Sequence, residues 1–272
     1  RDYYASRGLG DVYKRQGLGL MIFGIVTGDD GFAALTNFLH AQSALITFGG
    51  AFGATLVSNS LGDFVNGIKG IKMALRQTKH DQTEVIKKII ELSNVARKEG
   101  LLALEDAASD LDDAFMKKGI FLIVDGTEPD LVRAILETEL TCIEDRHKKV
   151  SSFWETTAAM GPAWGMIGTL IGLINMLKHL DDVSTVGPNM STALITTFYG
   201  SLLANWLAMP IATKLKANNA EEVTVKEVVI EGLLSIQAGE NPRVIEEKLK
   251  SFLAPAERTQ YGEGGEAGGE EA

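Results

Sequence analysis

The 272-residue sequence is poor in reactive side chains. It has one cysteine, Cys142, and four histidines, His40, His80, His147 and His179, scattered along the chain. A lone thiol excludes a disulfide framework and a cysteine-based metal site. No serine stands near a base, and no glycine-rich phosphate loop occurs. These absences argue against hydrolytic, redox and nucleotide-driven enzymes; no catalytic residue, cofactor or metal is expected. A net charge of -10 leaves no broad basic surface for nucleic acid. The most telling absence is local. Windows 31–62, 156–177 and 183–213 contain no Asp, Glu, Lys or Arg, so every formal charge is crowded into the remainder. With mean hydropathy +0.07, that segregation describes alternating membrane and aqueous segments.

A membrane helix needs about 20 apolar residues to cross a hydrocarbon core of about 30 Å. Segments 38–61, 158–177 and 192–211 pass. Segment 17–28 (GLGLMIFGIVTG) is apolar but short, reaching only about 18 Å. The charged stretch before it cannot lengthen it, and it has no signal-peptide hydrophobic region. Residues 17–28 therefore read either as a half-inserted hairpin or, the preferred reading, as the remnant of a first span behind foreign sequence at 1–16. The expected class is an all-α integral membrane protein with four transmembrane helices, the first truncated at its N-terminus, and a helical cytoplasmic domain between the second and third. The expected divisions are 1–16 non-native, 17–28, 37–62, 156–178 and 187–213 membrane helices, 63–153 cytoplasmic, 214–254 cytoplasmic C-terminal helices, and 255–272 a disordered Gly/Glu tail.

Basic flanks set the orientation. Lys69, Lys72, Arg76 and Lys79 follow the second span, Arg146, Lys148 and Lys149 precede the third, and Lys214 and Lys216 follow the fourth. The turns at Asp29–Asp30 and Asp181–Asp182 are acidic, with Lys178 alone nearby. Both termini and the long middle segment are thus expected in the cytoplasm. Within that segment, Val85, Ile86, Ile89, Ile90, Leu92 and Val95 form a stripe of helical period. Gly100 breaks this helix, and further helices are expected over 101–109, 112–124 and 130–147. The last has Thr127 as its cap and Pro129 in its first turn. Asn241 and Pro242 open a late helix through Phe252 in the same manner. No β-rich region is expected.

In the third span Gly161, Gly165, Gly168 and Gly172 recur at i, i+4, i+7 and i+11, one face of a helix. The fourth span offers a matching small face of Ala193, Thr197, Gly200, Ala204 and Ala208. Small residues let membrane helices pack backbone to backbone, so a tight helix pair is expected. The hydroxyls of Thr169, Thr196 and Thr197 have two readings: bonds to their own helix carbonyls, or a polar path for a cation. Pro162 and Pro210 each remove a backbone hydrogen bond and either end or hinge their helices. Neither span holds an Asp, Glu, Lys or Arg. A proton conductor normally carries one, so this chain either does not conduct or forms half of a conduit whose carboxylate comes from elsewhere.

The stretches SNVARKEGLLALED, FMKKGIFLIVDG, GPAWGMIGTLIGLINML, GPNMSTALITTFYGSLLAN and GENPR occur in this order from residue 93 to 243. They resemble the MotA/PomA family of bacterial flagellar stator subunits, over nearly the whole chain from residue 17; the front, where the family has a full first span, departs. The resemblance implies a multi-pass protein of the bacterial inner membrane, surrounded by lipid. It implies a homo-oligomer, a pentamer around two MotB/PomB-like chains that each supply a membrane Asp. It implies an ion channel whose H⁺ or Na⁺ flow turns the rotor for swimming motility. Thr169, Thr196 and Thr197 then match the ion path, and Pro162 and Pro210 the prolines of conformational coupling. Arg97 and Glu105 match the charged pair that engages the FliG rotor protein, flanked by Lys98 and Asp106; an ordinary solvated helix face would look the same. The alternatives are an ExbB/TolQ-like proton-channel energiser of envelope transport, in which one span precedes the cytoplasmic segment, and a non-conducting membrane scaffold.

Overall fold

The computed structural model describes residues 16–17, 19–28, 31–75, 81–109, 111–255, 257–258 and 261. The stretch 1–15, the Asp29–Asp30 turn, Arg76, Lys79, His80 and the tail from 262 lie outside the described residues. Among the described residues all regular structure is helical. Contacts divide the chain into two compact units, Arg1–Ser60 with Glu155–Met209, and Leu61–Trp154 with Pro210–Ala272.

The first unit begins with helix α1 (Gly19–Val26), followed by a 3₁₀ segment (Gly31–Phe38) whose axis turns by 112°. A helical run follows: α2 (Ala41–Ala44), a π-helical turn (Leu45–Gly49) and α3 (Gly50–Ser58). His40 caps it, its Nδ1 accepting the Ser43 N–H at 3.2 Å. This run is shorter than the span expected over 37–62. Phe38 closes the preceding segment, and Asn59 is extended and ends the helix.

Among the described residues two helices are long and apolar enough to cross a membrane, or up to three if the bent pair counts as one span. One is α8 (Pro129–Lys178), 50 residues without a break, or about 75 Å. The separate helix expected over 130–147 is therefore the first part of α8. The composition changes near Val150, but no Gly or Pro interrupts the backbone there. Pro129 does open the helix, so the residue before it is Glu128. Thr127, the expected cap, sits one position too early; its carbonyl instead accepts Gln237 Nε2 at 2.6 Å. The other long helix covers Val183–Gln237, 55 residues. It comprises α9 (Val183–Ser201), a π-helical turn (Leu202–Ala208) and α10 (Met209–Gln237). Asp182 caps it, accepting Ser184 N–H at 3.0 Å and Ser184 Oγ–H at 2.6 Å. Those bonds hold the Asp182 carboxyl below its usual range.

The second unit comprises α4 (Leu61–Leu75), α5 (Gln82–Glu99), α6 (Leu104–Ser109), α7 (Ala114–Val124), α11 (Pro242–Lys250) and the adjoining parts of α8 and α10. The apolar stripe of α5 is its core: Ile86, Ile89 and Leu92 pack with Ile120, Leu136 and Leu233. Asp81, Asp113 and Asn241 cap α5, α7 and α11 through bonds to N–H groups one turn on. A 3₁₀ turn, Leu101–Ala103, precedes α6. Trp154 is buried and donates its indole N–H to the Gly67 carbonyl at 2.9 Å. Glu231 accepts from Lys248 and from Arg133, the latter at 3.1 Å, and its carboxyl is held below the usual range chiefly by Lys248.

Candidate functional site

The small faces of α8 and α9 meet within the first unit. A methyl group added at Gly161 would lie 2.8 Å from the Gly200 carbonyl oxygen, and one at Gly165 would lie 3.0 Å from that of Thr196. At Gly172 it would lie 2.7 Å from the Asn189 oxygen and 2.9 Å from Ala193 Cβ. Gly200 in turn faces the Gly161 carbonyl. The backbones touch, and only glycine permits that spacing. Gly168 meets a side chain rather than a backbone: its missing Cβ would lie 2.5 Å from Thr196 Cβ and Cγ2.

That packing separates the three threonines. Thr196 is 0% exposed and donates within its own helix, to the carbonyls of Thr192 at 3.0 Å and Ala193 at 2.9 Å. Thr169 and Thr197 instead join across the helix pair, Oγ1 to Oγ1 at 2.6 Å. Thr169 also reaches the Gly165 carbonyl at 3.1 Å and the Ala193 carbonyl at 3.2 Å. The Thr197 hydroxyl also reaches the Ala193 carbonyl of its own helix, at 3.5 Å, so each member of the pair has a carbonyl to receive its proton as well as the other hydroxyl. Thr197 is exposed and Thr169 half-buried. Around them Met166, Leu170 and Leu194 are exposed and apolar. The result is a pair of hydroxyls on a greasy surface, with no carboxylate on either helix segment.

Both prolines lie inside continuous helices, so helix termination, one of the two readings of these residues, does not describe the backbone. Pro162 follows Gly161 in the seam and leaves the Ala158 carbonyl without its usual helical donor. Pro210 lies just beyond the π-helical turn Leu202–Ala208, a wide turn of the kind that accommodates a missing N–H.

Sequence reasoning missed a second polar seam. Ser43, Thr47, Ala51 and Thr55 recur every fourth residue, and all are 0% exposed. Ser43 donates to the Thr192 carbonyl at 3.4 Å and Thr47 to that of Thr196 at 3.3 Å, so two hydroxyls of this run bond to α9. Thr55 bonds its own helix at Ala51, 2.8 Å away, and approaches the Thr157 hydroxyl at 3.5 Å. The four-residue spacing was the available signal. Tyr199 was missed too; it donates to the Phe38 carbonyl and accepts the His40 N–H at 3.2 Å.

In the second unit, Arg97 and Lys98 end α5 while Glu105 and Asp106 open α6. All four are exposed, and no ion pair joins them to each other or to another of the described residues. Gly100, at φ +90°, turns the chain between the two pairs. Among the described residues, no group of three or more His, Cys, Asp or Glu is gathered to hold a metal.

An all-helical membrane protein with a tight small-residue seam is the class this architecture defines, and residues 107–228 match the model of the MotA/TolQ/ExbB proton channel family. Motility protein A of Treponema pallidum (strain Nichols) is 41% identical over 244 residues, covering 90% of this chain and 93% of the relative. Motility protein A of Borreliella burgdorferi is 43% identical over 227 residues, covering 82% and 86%. The solved structure of the flagellar MotAB stator complex from Bacillus subtilis superposes with a TM-score of 0.83 at 30% identity, covering 93% of this chain and 97% of that one. The chain belongs to the motility protein A family.

Proposed function

We propose that this chain is a flagellar motor stator subunit. With a MotB/PomB-like partner it forms a channel that converts H⁺ or Na⁺ flow into torque. The Thr169–Thr197 hydroxyl pair carries the reading: it is polar, outward-facing and set in a seam that has no acid of its own. An ion needs a carboxylate to neutralise it in an apolar medium, and that carboxylate is the partner's membrane Asp. The hydroxyl oxygens supply hydrogen bonds or hard-cation ligands as the ion is loaded and released. Thr196, satisfied within α9, fixes the wall behind the pair. Gly161, Gly165, Gly168, Gly172 and Gly200 keep α8 and α9 close enough for the pair to form. Pro162 and Pro210 relax the two helices as the Asp changes charge.

The relatives named as motility proteins, matched over most of their length, favour this reading over the envelope energiser. Four spans place both termini inside, with segments 17–28 and 37–62 as the first two and the apolar parts of α8 and α9 as the last two. The assembly is a pentamer in the bacterial inner membrane. Arg97, Lys98, Glu105 and Asp106 touch the FliG rotor protein. Exposed ion pairs are worth at most about 1 kcal/mol each, which suits a contact that forms and releases repeatedly.

The test is motility of a stator-deleted cell carrying this chain and its cognate partner, with and without sodium. Swimming restored only when both are present supports the reading. Torque or ion current from this chain with the partner missing refutes it.

A further inference from the structure

We propose that Thr47 is a positioning residue of the ion path: its hydroxyl holds the Thr196–Thr197 peptide of α9 in register with α8, and so sets the Thr197 hydroxyl at bonding distance from Thr169. This rests on the stator reading above and gives a role to a residue outside the two helices that carry the pair. Thr47 is 0% exposed, and its hydroxyl donates to the Thr196 carbonyl at 3.3 Å. That carbonyl belongs to the peptide that leads into Thr197. The same peptide meets α8 at Gly165, whose missing Cβ would lie 3.0 Å from the Thr196 oxygen and 3.2 Å from Thr197 Cα. One turn earlier the arrangement repeats. Ser43 donates to the Thr192 carbonyl at 3.4 Å, and Thr169 reaches the carbonyl of the next residue, Ala193, at 3.2 Å. Two hydroxyls four residues apart thus bind two α9 carbonyls four residues apart, so a slide or a rotation of α9 breaks both bonds.

The backbone around Thr47 is shaped for this contact. In a regular α-helix, residues four apart drift by about 40° around the axis at each step, so a four-residue stripe soon leaves one face. The π-helical turn Leu45–Gly49 contains Thr47 and widens the helix there, and the stripe stays sealed from Ser43 to Thr55. Gly50, directly after the turn, lets the run lie against α8: its missing Cβ would stand 2.1 Å from the Trp164 ring. A buried threonine can always give its proton to its own helix, as Thr55 does at the Ala51 carbonyl, 2.8 Å away. The single proton of Thr47 goes to α9 instead. Without it the Thr196–Thr197 peptide is free to shift, and Thr197 turns to the Ala193 carbonyl of its own helix, within reach at 3.5 Å. The hydroxyl pair that meets the ion then opens.

The experiment uses the full chain with its cognate partner in tethered-bead motors, with speed per motor recorded across sodium concentration and external pH. Thr47→Val, which keeps the shape and removes the donor, raises the ion concentration for half-maximal speed by about fivefold, the equivalent of one hydrogen bond. Thr47→Ser, which keeps the donor, stays within about twofold of the parent. Thr55→Val is the control: it is as buried, its hydroxyl bonds its own helix, and the half-maximal concentration stays at the parent value. A residue that only supports the fold changes the number of assembled motors and not that concentration. An unshifted profile in Thr47→Val therefore overturns the proposal, as does an equal shift in Thr47→Val and Thr47→Ser. Where Thr47→Val does not assemble, Thr47→Ala, which removes the same donor, must show the shift. Adding Thr47→Val to Thr197→Val produces no further shift, because both act through one hydroxyl; full additivity overturns the positioning role. If Thr197→Val shifts the profile and Thr47→Val does not, positioning alone fails. If neither does, the ion-path reading fails with it.

Discussion

One methyl group at Gly168 probes the seam directly. The Cβ of Gly168→Ala would stand 2.5 Å from Thr196 Cβ and Cγ2 and 2.7 Å from its Oγ1, where ordinary contacts begin at about 3.4 Å. Thr196 cannot swing aside: it is 0% exposed, β-branched, and tied by its hydroxyl to the Thr192 and Ala193 carbonyls. The helices must instead part by roughly 1 Å. Overpacking of that kind costs about 1–3 kcal/mol. The same parting stretches the 2.6 Å Thr169–Thr197 bond to about 3.6 Å, where no hydrogen bond survives. Gly53→Ala on α3 is the control, because nothing lies within 4 Å of its missing Cβ; it gains up to about 1 kcal/mol of helix propensity. Thermal unfolding of the purified complex, paired with swimming speed, reads both effects. Gly168→Ala is expected to lower the unfolding midpoint and abolish swimming, and Gly53→Ala to do neither. Equal stability and motility in the two variants would refute backbone-limited packing of α8 on α9.

Thr197→Val keeps the shape and removes the outward hydroxyl; unfolding should shift by less than about 1 kcal/mol while motor speed falls, and an unchanged speed across sodium concentrations and pH would remove Thr197 from the ion path. Arg97→Glu and Glu105→Lys should each impair swimming with membrane insertion intact, since both side chains are exposed and unpaired among the described residues; full torque from the double reversal against an unaltered rotor would count against the charged contact. The Glu231 carboxyl lies below its usual range because Lys248, then Arg133, bond its charged form. A depressed folded-state pKa contributes stability above the unfolded value of about 4.3, and that contribution disappears as pH falls through the folded pKa. Denaturant unfolding at neutral and acid pH should therefore show a smaller acid loss for Glu231→Gln than for the parent.

Local chemistry made most helix starts legible. Asn241-Pro242 and Pro129 each announce an N-terminus through a side-chain oxygen or a missing N–H, and helices open at both; the start expected at 112 falls two residues early, because Asp113 is the cap of α7. Helix ends were harder to read. Gly100 stops α5 because it takes a backbone conformation that other residues avoid. At Val150 the composition shifts from charged to apolar, and the helix continues. Composition reports the surroundings of a helix, while backbone hydrogen bonding decides its length, and nothing between Pro129 and Lys178 other than Pro162 disturbs that ladder. Prolines mislead for a related reason: Pro162 and Pro210 each withhold one donor, and a long helix absorbs the loss, at Pro210 with a wide turn just before it.

The glycine seam could be read in advance because its period is the helix period, and the structure matches each glycine to a specific atom of α9. The hydroxyls could not be sorted the same way. Thr196 and Thr197 are neighbours in sequence, yet one is sealed against Gly168 and the other open. A threonine always has its own i-4 carbonyl within reach, so a bond across helices needs an incoming partner at the right height. Thr169 supplies it for Thr197; the backbone contact at Gly165, one turn away, brings α9 that near. Ser43 and Thr47 show the same dependence from the other side, since their acceptors are carbonyls of α9 invisible to any pattern in their own segment. The polar chemistry of the site is thus a consequence of the glycine spacing: enlarge one residue of the seam, and hydroxyls that now bond across helices turn back onto their own backbone.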